Sequence, residues 1–423
     1  MEHEKKYIEE ILEFCVSLSR NMVISGANLE RVHLANEFIC KSYGLKDVSV
    51  YLLSTHISLS AYDSEGNYAS RQASIPAAGI NLERLRSLNQ LSYKIAEITP
   101  NPKVLNQMLS RAMQVRDYSD WIVLIARIVS MSCLSFMFGG SFNDLIAVAV
   151  VTALIHFLMT AFEHSGLDRL VINALTMWIA TSAAIFFVYT GVGSNLAAIL
   201  ITVSMIVIPG IPLVNAMRNL LCGHEINGIL QMLKIFIETM ALAMGIFVAM
   251  VTSGGFAMIK TGEAVSLDPS LLVVLSFIAS IGFGAVFKIP PKDLWLAGLG
   301  GALTRISLVL LTPVVPNRLL FMTISALVAA LYADFWAVKR KQPSTYFVYP
   351  SIIPLIPGDL FFYAIAGLYA GSHNIVETNG INCLLSLSGL SIGFVLSSAV
   401  SHHIRKNVYR AKNFNLSLSE GEK

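Results

Sequence analysis

From residue 117 onward the chain is dominated by ten long apolar runs, near 121–138, 143–162, 170–190, 196–217, 230–251, 271–287, 293–311, 319–338, 347–370 and 381–403. Each approaches the roughly 20 apolar residues that a helix needs to cross a bilayer. Ahead of them the pattern is different. Ile8, Ile11, Leu12, Cys15, Leu18 and Met22 recur at helical spacing and predict an amphipathic helix. Ser25-Gly26-Ala27-Asn28 breaks it, Asn28 is placed to cap a second helix through Leu29, Val32, Ala35 and Ile39, and Tyr43-Gly44-Leu45 closes that one. Between Val48 and Tyr62, Ile57, Leu59 and Ala61 alternate with His56, Ser58 and Ser60, which predicts a strand. The turn cluster Asp63-Ser64-Glu65-Gly66-Asn67 makes Tyr68 to Ile75 the returning arm of a hairpin. Asn81 to Ile98 and Pro102 to Gln114 read as helices again.

The expected fold is therefore an all-α polytopic membrane protein carrying a small N-terminal α+β domain over 1–116. Composition agrees. The 423 residues are 55% hydrophobic and 13% charged, against roughly 25% charged in soluble domains. A net charge of +3 offers nothing to a nucleic acid. Position matters more than total. With the N-terminal domain in the cytoplasm, the inner loops carry Arg169, Arg218, Lys288, Lys292, Lys339, Arg340 and Lys341, and the tail (405–423) carries Arg405, Lys406, Arg410 and Lys412. The outer loops carry only Lys260 and Arg318, which fits ten spans with both termini inside the cytoplasmic membrane. Met1 to Arg20 has no apolar core behind a basic start, so no cleaved signal peptide is expected. The five cysteines are scattered and read as buried hydrophobes, and no ligand spacing points to a metal or any other cofactor.

The apolar runs repeat. Ile208-Pro209-Gly210 in the fourth matches Ile356-Pro357-Gly358 in the ninth at an offset of 148, while Asp144-Leu145 matches Asp293-Leu294 and Asp168-Arg169-Leu170 matches Asn317-Arg318-Leu319 at 149. Each unit, 117–257 and 258–404, holds five spans. Because five is odd, the second must enter the membrane from the opposite side, giving two inverted five-helix repeats. Paired, proline-interrupted spans in corresponding positions of two such halves are the best sequence pointer to a transport site. Here they are Pro209-Gly210-Ile211-Pro212 and Pro354-Leu355-Ile356-Pro357-Gly358. Proline removes a donor and breaks the helix, and backbone groups freed at membrane depth can hold the charged ends of a small substrate.

A charge at the bilayer centre costs roughly 2.5–3.5 kcal/mol on insertion scales, so each needs a reason. Asp359 and Asn215 follow the two breaks and join Pro209, Gly210, Pro354, Pro357 and Gly358 as candidate substrate-binding residues. Asp359, Glu238 and Asp334 are candidate proton carriers, with a structural ion pair as the alternative. Arg127 and Arg305 suit a substrate carboxylate or, in the favoured reading, neutralise those acids. Asn173, Asn382 and His156 read as interhelical hydrogen-bond formers, Asp144, Asp293, Glu163 and Asp168 as solvated groups near the interfaces, and Gly298-Leu299-Gly300-Gly301 with Gly282 and Gly284 as close helix packing. His56 is the only polar head residue that suggests catalysis, and no nucleophile motif accompanies it.

The head stretch Gly26-Ala27-Asn28-Leu29-Glu30-Arg31-Val32 with Tyr43-Gly44-Leu45, the later Ile80-Asn81-Leu82-Glu83-Arg84-Leu85 with Asn89, and Ile353-Pro354-Leu355-Ile356-Pro357-Gly358 together resemble the threonine/serine exporter family, over nearly the whole chain. The resemblance implies a secondary exporter of small polar amino acids driven by the proton motive force, in a form that fuses two halves found separately in some bacteria. Some split relatives are associated with dicarboxylate export, which keeps a succinate-like substrate as the alternative. The family's head has been compared with hydrolases, so a membrane-anchored enzyme or sensor acting through the head is the rival of another class. The expected partners are the small-molecule substrate, protons and lipid, with a homo-oligomer left open.

Overall fold

The computed structural model describes residues 2–421 apart from Ser54, 77–78, His164, Pro209, 256–266, Lys341 and Ala370; the side chains of 2–6, 163, 369 and 402–421 also lie outside the description. The expected boundary between the repeats, at 257–258, falls outside the described residues.

The head follows its sequence pattern closely. α1 (Glu2–Ile24) turns Ile8, Ile11, Leu12, Cys15, Leu18 and Met22 inward, and all six are buried. Asn28 caps α2 (Leu29–Ser42) by accepting the Arg31 N–H at 3.0 Å. Gly44, with φ +75°, takes the left-handed conformation that ends the helix. The expected hairpin is instead a three-stranded antiparallel meander of β1 (Lys46–Leu52), β2 (His56–Tyr62) and β3 (Tyr68–Ser74). Val48 to Tyr62 is not one strand, because the chain reverses at Leu53–His56, closed by a Leu53 N–H to His56 carbonyl bond of 2.8 Å. The polar triplet Ser54-Thr55-His56 and a change of phase, from Val48, Val50 and Leu52 to Ile57, Leu59 and Ala61, mark this turn in the sequence. Ile57, Leu59 and Ala61 are fully buried, as the alternation requires. α3 (Leu82–Ile98) is capped by Asn81, and α4 (Pro102–Met113) begins on a proline in its first turn.

The rest is helical: α5 (Asp120–Met137), α6 (Phe142–Glu163), α7 (Arg169–Tyr189), α8 (Leu196–Ser204), α9 (Gly210–Leu221), α10 (Glu225–Ser253), α11 (Pro269–Val286), α12 (Leu294–Leu311), α13 (Arg318–Arg340), α14 (Thr345–Ser351), α15 (Gly358–Tyr369) and α16 (His373–Gly421). Among the described residues eight of these helices are long and apolar enough to cross a membrane, and nine spans result if α14 and α15, bent by 45°, count as one. The run at 196–217 divides into α8 and α9, each short of a full span. Helix starts recur along the chain. Residues 120, 169 and 196 are followed by 269, 318 and 345 at an offset of 149, and 210 and 225 by 358 and 373 at 148. Phe142 is matched in the same way by Pro291, where a short 3-10 turn leads into α12.

The chain divides into two compact units. One gathers the head with Ile281–Ala297 and Trp336–Pro350, and the other comprises Ile128–Ser280, Gly298–Phe335 and Ser351–Lys423. Within the second, α7 packs on α10, α9 on α10 and α16, and α15 on α16. Small residues allow these approaches. A Cβ on Gly301 would strike Ser280, and one on Gly393 would lie 2.6 Å from the Ala326 methyl, so the helix-packing reading of the 298–301 glycines holds at Gly301.

Candidate functional site

Two apolar runs are interrupted near their middles. In the second, a 3-10 turn at Ile353–Leu355 separates α14 from α15, whose first residue is Gly358. Pro354 and Pro357 supply no backbone donors there, and the Pro354 carbonyl accepts from a side chain. The two interruptions touch each other. A Cβ on Gly210, the first residue of α9, would lie 2.9 Å from Ile356 Cγ2, and one on Gly358 would lie 2.9 Å from Met205 Cε. Neither glycine has a positive φ, so both positions demand the absence of a side chain rather than backbone freedom. The contact is reciprocal, each break contributing a glycine and receiving a side chain. Beside it lies a pocket of about 40 Å³ lined by Ile208, Phe362 and residues of α10, including Thr239. It has room for a few water molecules at most.

Asp359 occupies the first turn of α15, where the partial positive charge of a helix N-terminus favours a carboxylate. It accepts the Leu360 N–H, and the guanidinium charges of Arg305 and Arg318 both act on it. Arg305 is half-buried on α12; its Nε donates to Ser276 Oγ of α11 at 3.1 Å and its Nη2 to the Pro354 carbonyl at 3.5 Å. One arginine thus ties α11, α12 and the break together. Arg318 donates to Ser386 Oγ of α16 at 3.4 Å and lies over the Phe321 ring.

Of the candidates named above, Gly210, Pro354, Pro357, Gly358, Asp359 and Arg305 come together at the paired breaks, while Pro209 lies outside the described residues. Asn215 is half-buried farther along α9. Glu238 is half-buried on α10, next to Thr239 of the pocket. Asp334 is engaged by α16, accepting hydroxyl protons from Ser397 at 2.8 Å and Ser401 at 2.6 Å. Arg127 is half-buried on α5. In the repeat numbering Arg127 corresponds to Ser276 and His156 to Arg305, so the arginine of this pair sits on the other helix of each repeat.

Two expectations need correction. Asp144 and Asp293 are buried, at 0% and 3% exposure, rather than solvated. Asp144 folds in because the N–H groups of Ser141, Ser194 and Asn195 all point at its carboxylate, replacing water. Arg318 was legible only as one member of the Arg169/Arg318 match, since a charge count assigns it to a loop. Ser276 and Ser386 carried no signal, as single serines in apolar helices seldom do. In the head, His56 is half-buried at the start of β2, paired across the sheet with Ser74. Arg31 binds Asn89 and Ser92 and covers the Tyr93 ring, so the two head motifs hold each other. Among the described residues no group of three metal-ligating side chains occurs.

Residues 13–253 match a family model described as "Putative threonine/serine exporter", and residues 272–400 match a second, "Threonine/Serine exporter, ThrE". The chain is 19% identical to a "Probable threonine/serine exporter" of Mycobacterium tuberculosis, over 94% of its own length and 78% of that protein. It is also 19% identical to a "Probable succinate transporter subunit YjjP" of Klebsiella aerogenes, over 60% of this chain and 98% of that subunit. No solved structure matches the chain.

Proposed function

Since the chain belongs to the threonine/serine exporter family, we propose that it is a secondary transporter of the cytoplasmic membrane that exports threonine, serine or a similar small amino acid with protons as the coupling ion. The observation that carries this reading is the reciprocal contact of the two breaks with Asp359 and Arg305 beside it. Ten spans, as two inverted five-helix repeats over 117–257 and 258–404 with both termini in the cytoplasm, would bring two opposed half-helices together near the midplane. The recurrence of helix starts at 148 or 149 residues supports that arrangement. In the contact conformation the pathway is closed. Separation of Gly210 from Ile356, and of Gly358 from Met205, opens a space bounded by the Pro354 carbonyl, the α15 N-terminus, one carboxylate and two guanidiniums.

A zwitterion fits that set of groups. Its ammonium pairs with Asp359 and its carboxylate with the planar fork of Arg305 or with Arg318. Proton loading of Asp359 would release the ammonium and so couple substrate movement to proton movement. Glu238 and Asp334 are the further candidates for the proton route. The test is efflux of labelled threonine from loaded cells, expected to fall on deletion of the gene and rise on overexpression. Unchanged efflux in both would remove the amino-acid assignment. The succinate-named relative and the two guanidiniums near one break favour a dicarboxylate as the second reading. Competition by succinate rather than serine would select it.

A further inference from the structure

One corner of the repeat is built twice and satisfied differently. At the start of α6, Asp144 accepts the N–H groups of Ser141 at 2.7 Å, Ser194 at 2.6 Å and Asn195 at 3.0 Å, which ties α6 to the loop entering α8. At the corresponding start of α12, Asp293 is held by far less. Its Oδ2 accepts the Tyr346 hydroxyl of α14 at 3.1 Å, and among the described residues its Oδ1 accepts no hydrogen bond, with Arg340 Nη2 standing 3.9 Å away. The charge of Arg86, paired with Glu83 on α3, acts on both Asp293 and Tyr346. A carboxylate buried with one oxygen bare is costly, so the second corner is only weakly closed.

The head bonds to both of these segments. To the turn before α12 it is held by the Leu82 N–H to the Phe287 carbonyl at 2.9 Å, Tyr118 Oη to the Ile289 carbonyl at 2.6 Å, and Lys288 Nζ to Asp117 at 3.0 Å. The Tyr349 hydroxyl of α14 donates to the Gly26 carbonyl at 3.0 Å. Gly26, at φ +97°, begins the first head motif.

We propose that Asp293 and Tyr346 are positioning residues that latch the half-helix α14, that the head braces this half-helix through Gly26, and that opening of the Tyr346–Asp293 bond lets α14 and the break behind it move during transport. The inference deepens the transporter reading and rests on it: the first corner is the fixed one, and the second, overseen by the head, is the one that moves. The family motifs of the head then serve the transport pathway rather than a chemistry of their own.

The test uses the full chain purified into lipid nanodiscs, with Cys222→Ser to remove the exposed thiol and Ile353→Cys as reporter. Ile353 is 4% exposed, so a maleimide reaches that position only when the break opens. Tyr346→Phe should raise the labelling rate at position 353 about tenfold, the loss expected for one bond to a buried carboxylate. Labelling of the buried Cys15 in the head core should not change, whereas general loosening would raise both. An unchanged rate at position 353, or a parallel rise at Cys15, overturns the latch. Should Tyr346→Phe fail to reach the membrane, Asp293→Ala carries the same test with the same two readouts. The readout needs no substrate, so altered labelling without threonine efflux would strike the substrate assignment and leave the latch standing.

Discussion

Asp117 and Asp359 each have cations nearby, and their settings separate a structural role from a functional one. Burial works against the charged form of Asp117, but hydrogen bonds from Lys288 and Asn81 and the charges of Lys288 and Arg84 outweigh it and hold the carboxyl below its usual value. A depressed folded pKa stabilises the protein above the unfolded value, and that contribution is lost as pH falls through the folded one. Asp117→Asn should therefore lower thermal stability at pH 7 by no more than about 1 kcal/mol, as expected for an exposed pair, and the deficit should vanish as pH falls through the folded pKa. A deficit that persists in acid would assign the loss to packing. Asp359 sits instead at a broken helix, where the charges of Arg305 and Arg318 act on it. Asp359→Asn should leave the protein in the membrane and abolish the dependence of efflux on a pH gradient. Wild-type rates in that variant would remove the residue from the mechanism. Its candidacy was legible because an acid directly after a proline break in lipid has few structural excuses. The burial of Asp144 and Asp293 was not legible, since apart from the Ser141 amide the groups that satisfy them lie about 50 residues away.

At the scale of elements, prolines and glycines marked the breaks, while the contact between the breaks depends on two side chains that the pattern does not single out. Ile356 is β-branched and stiff, and Met205 is flexible. Gly210→Ala, pressed on Ile356, should therefore cost more stability than Gly358→Ala, pressed on Met205, both within about 1–3 kcal/mol. Adding Met205→Ala to Gly358→Ala should recover much of the second loss, with an interaction energy of about 0.5–3 kcal/mol. Additive losses in thermal unfolding would mean that the breaks do not press on each other. The recurrence of helix starts was foreshadowed by three short sequence matches at the same offsets. The third strand was legible but overlooked: the polar triplet Ser54-Thr55-His56 and the shift of the apolar positions from even to odd numbers mark the reversal between β1 and β2.

For the whole molecule, composition and run length are enough to identify a helical multi-pass membrane protein with a small sheet-bearing head, because lipid admits so few structures. The association of the head with Ile281–Ala297 and Trp336–Pro350 was invisible, since it runs through backbone carbonyls and tyrosines spread over some 300 positions. Family membership gives the class of activity, and the paired breaks offer the path. Labelled threonine entering threonine-loaded proteoliposomes that contain only the purified full chain is the direct measurement of that claim. The account predicts counterflow that a proton gradient accelerates, that unlabelled serine inhibits and succinate does not, and that Asp359→Asn makes insensitive to the gradient. Vesicles with a folded chain that exchange no threonine, or that exchange succinate instead, would contradict it.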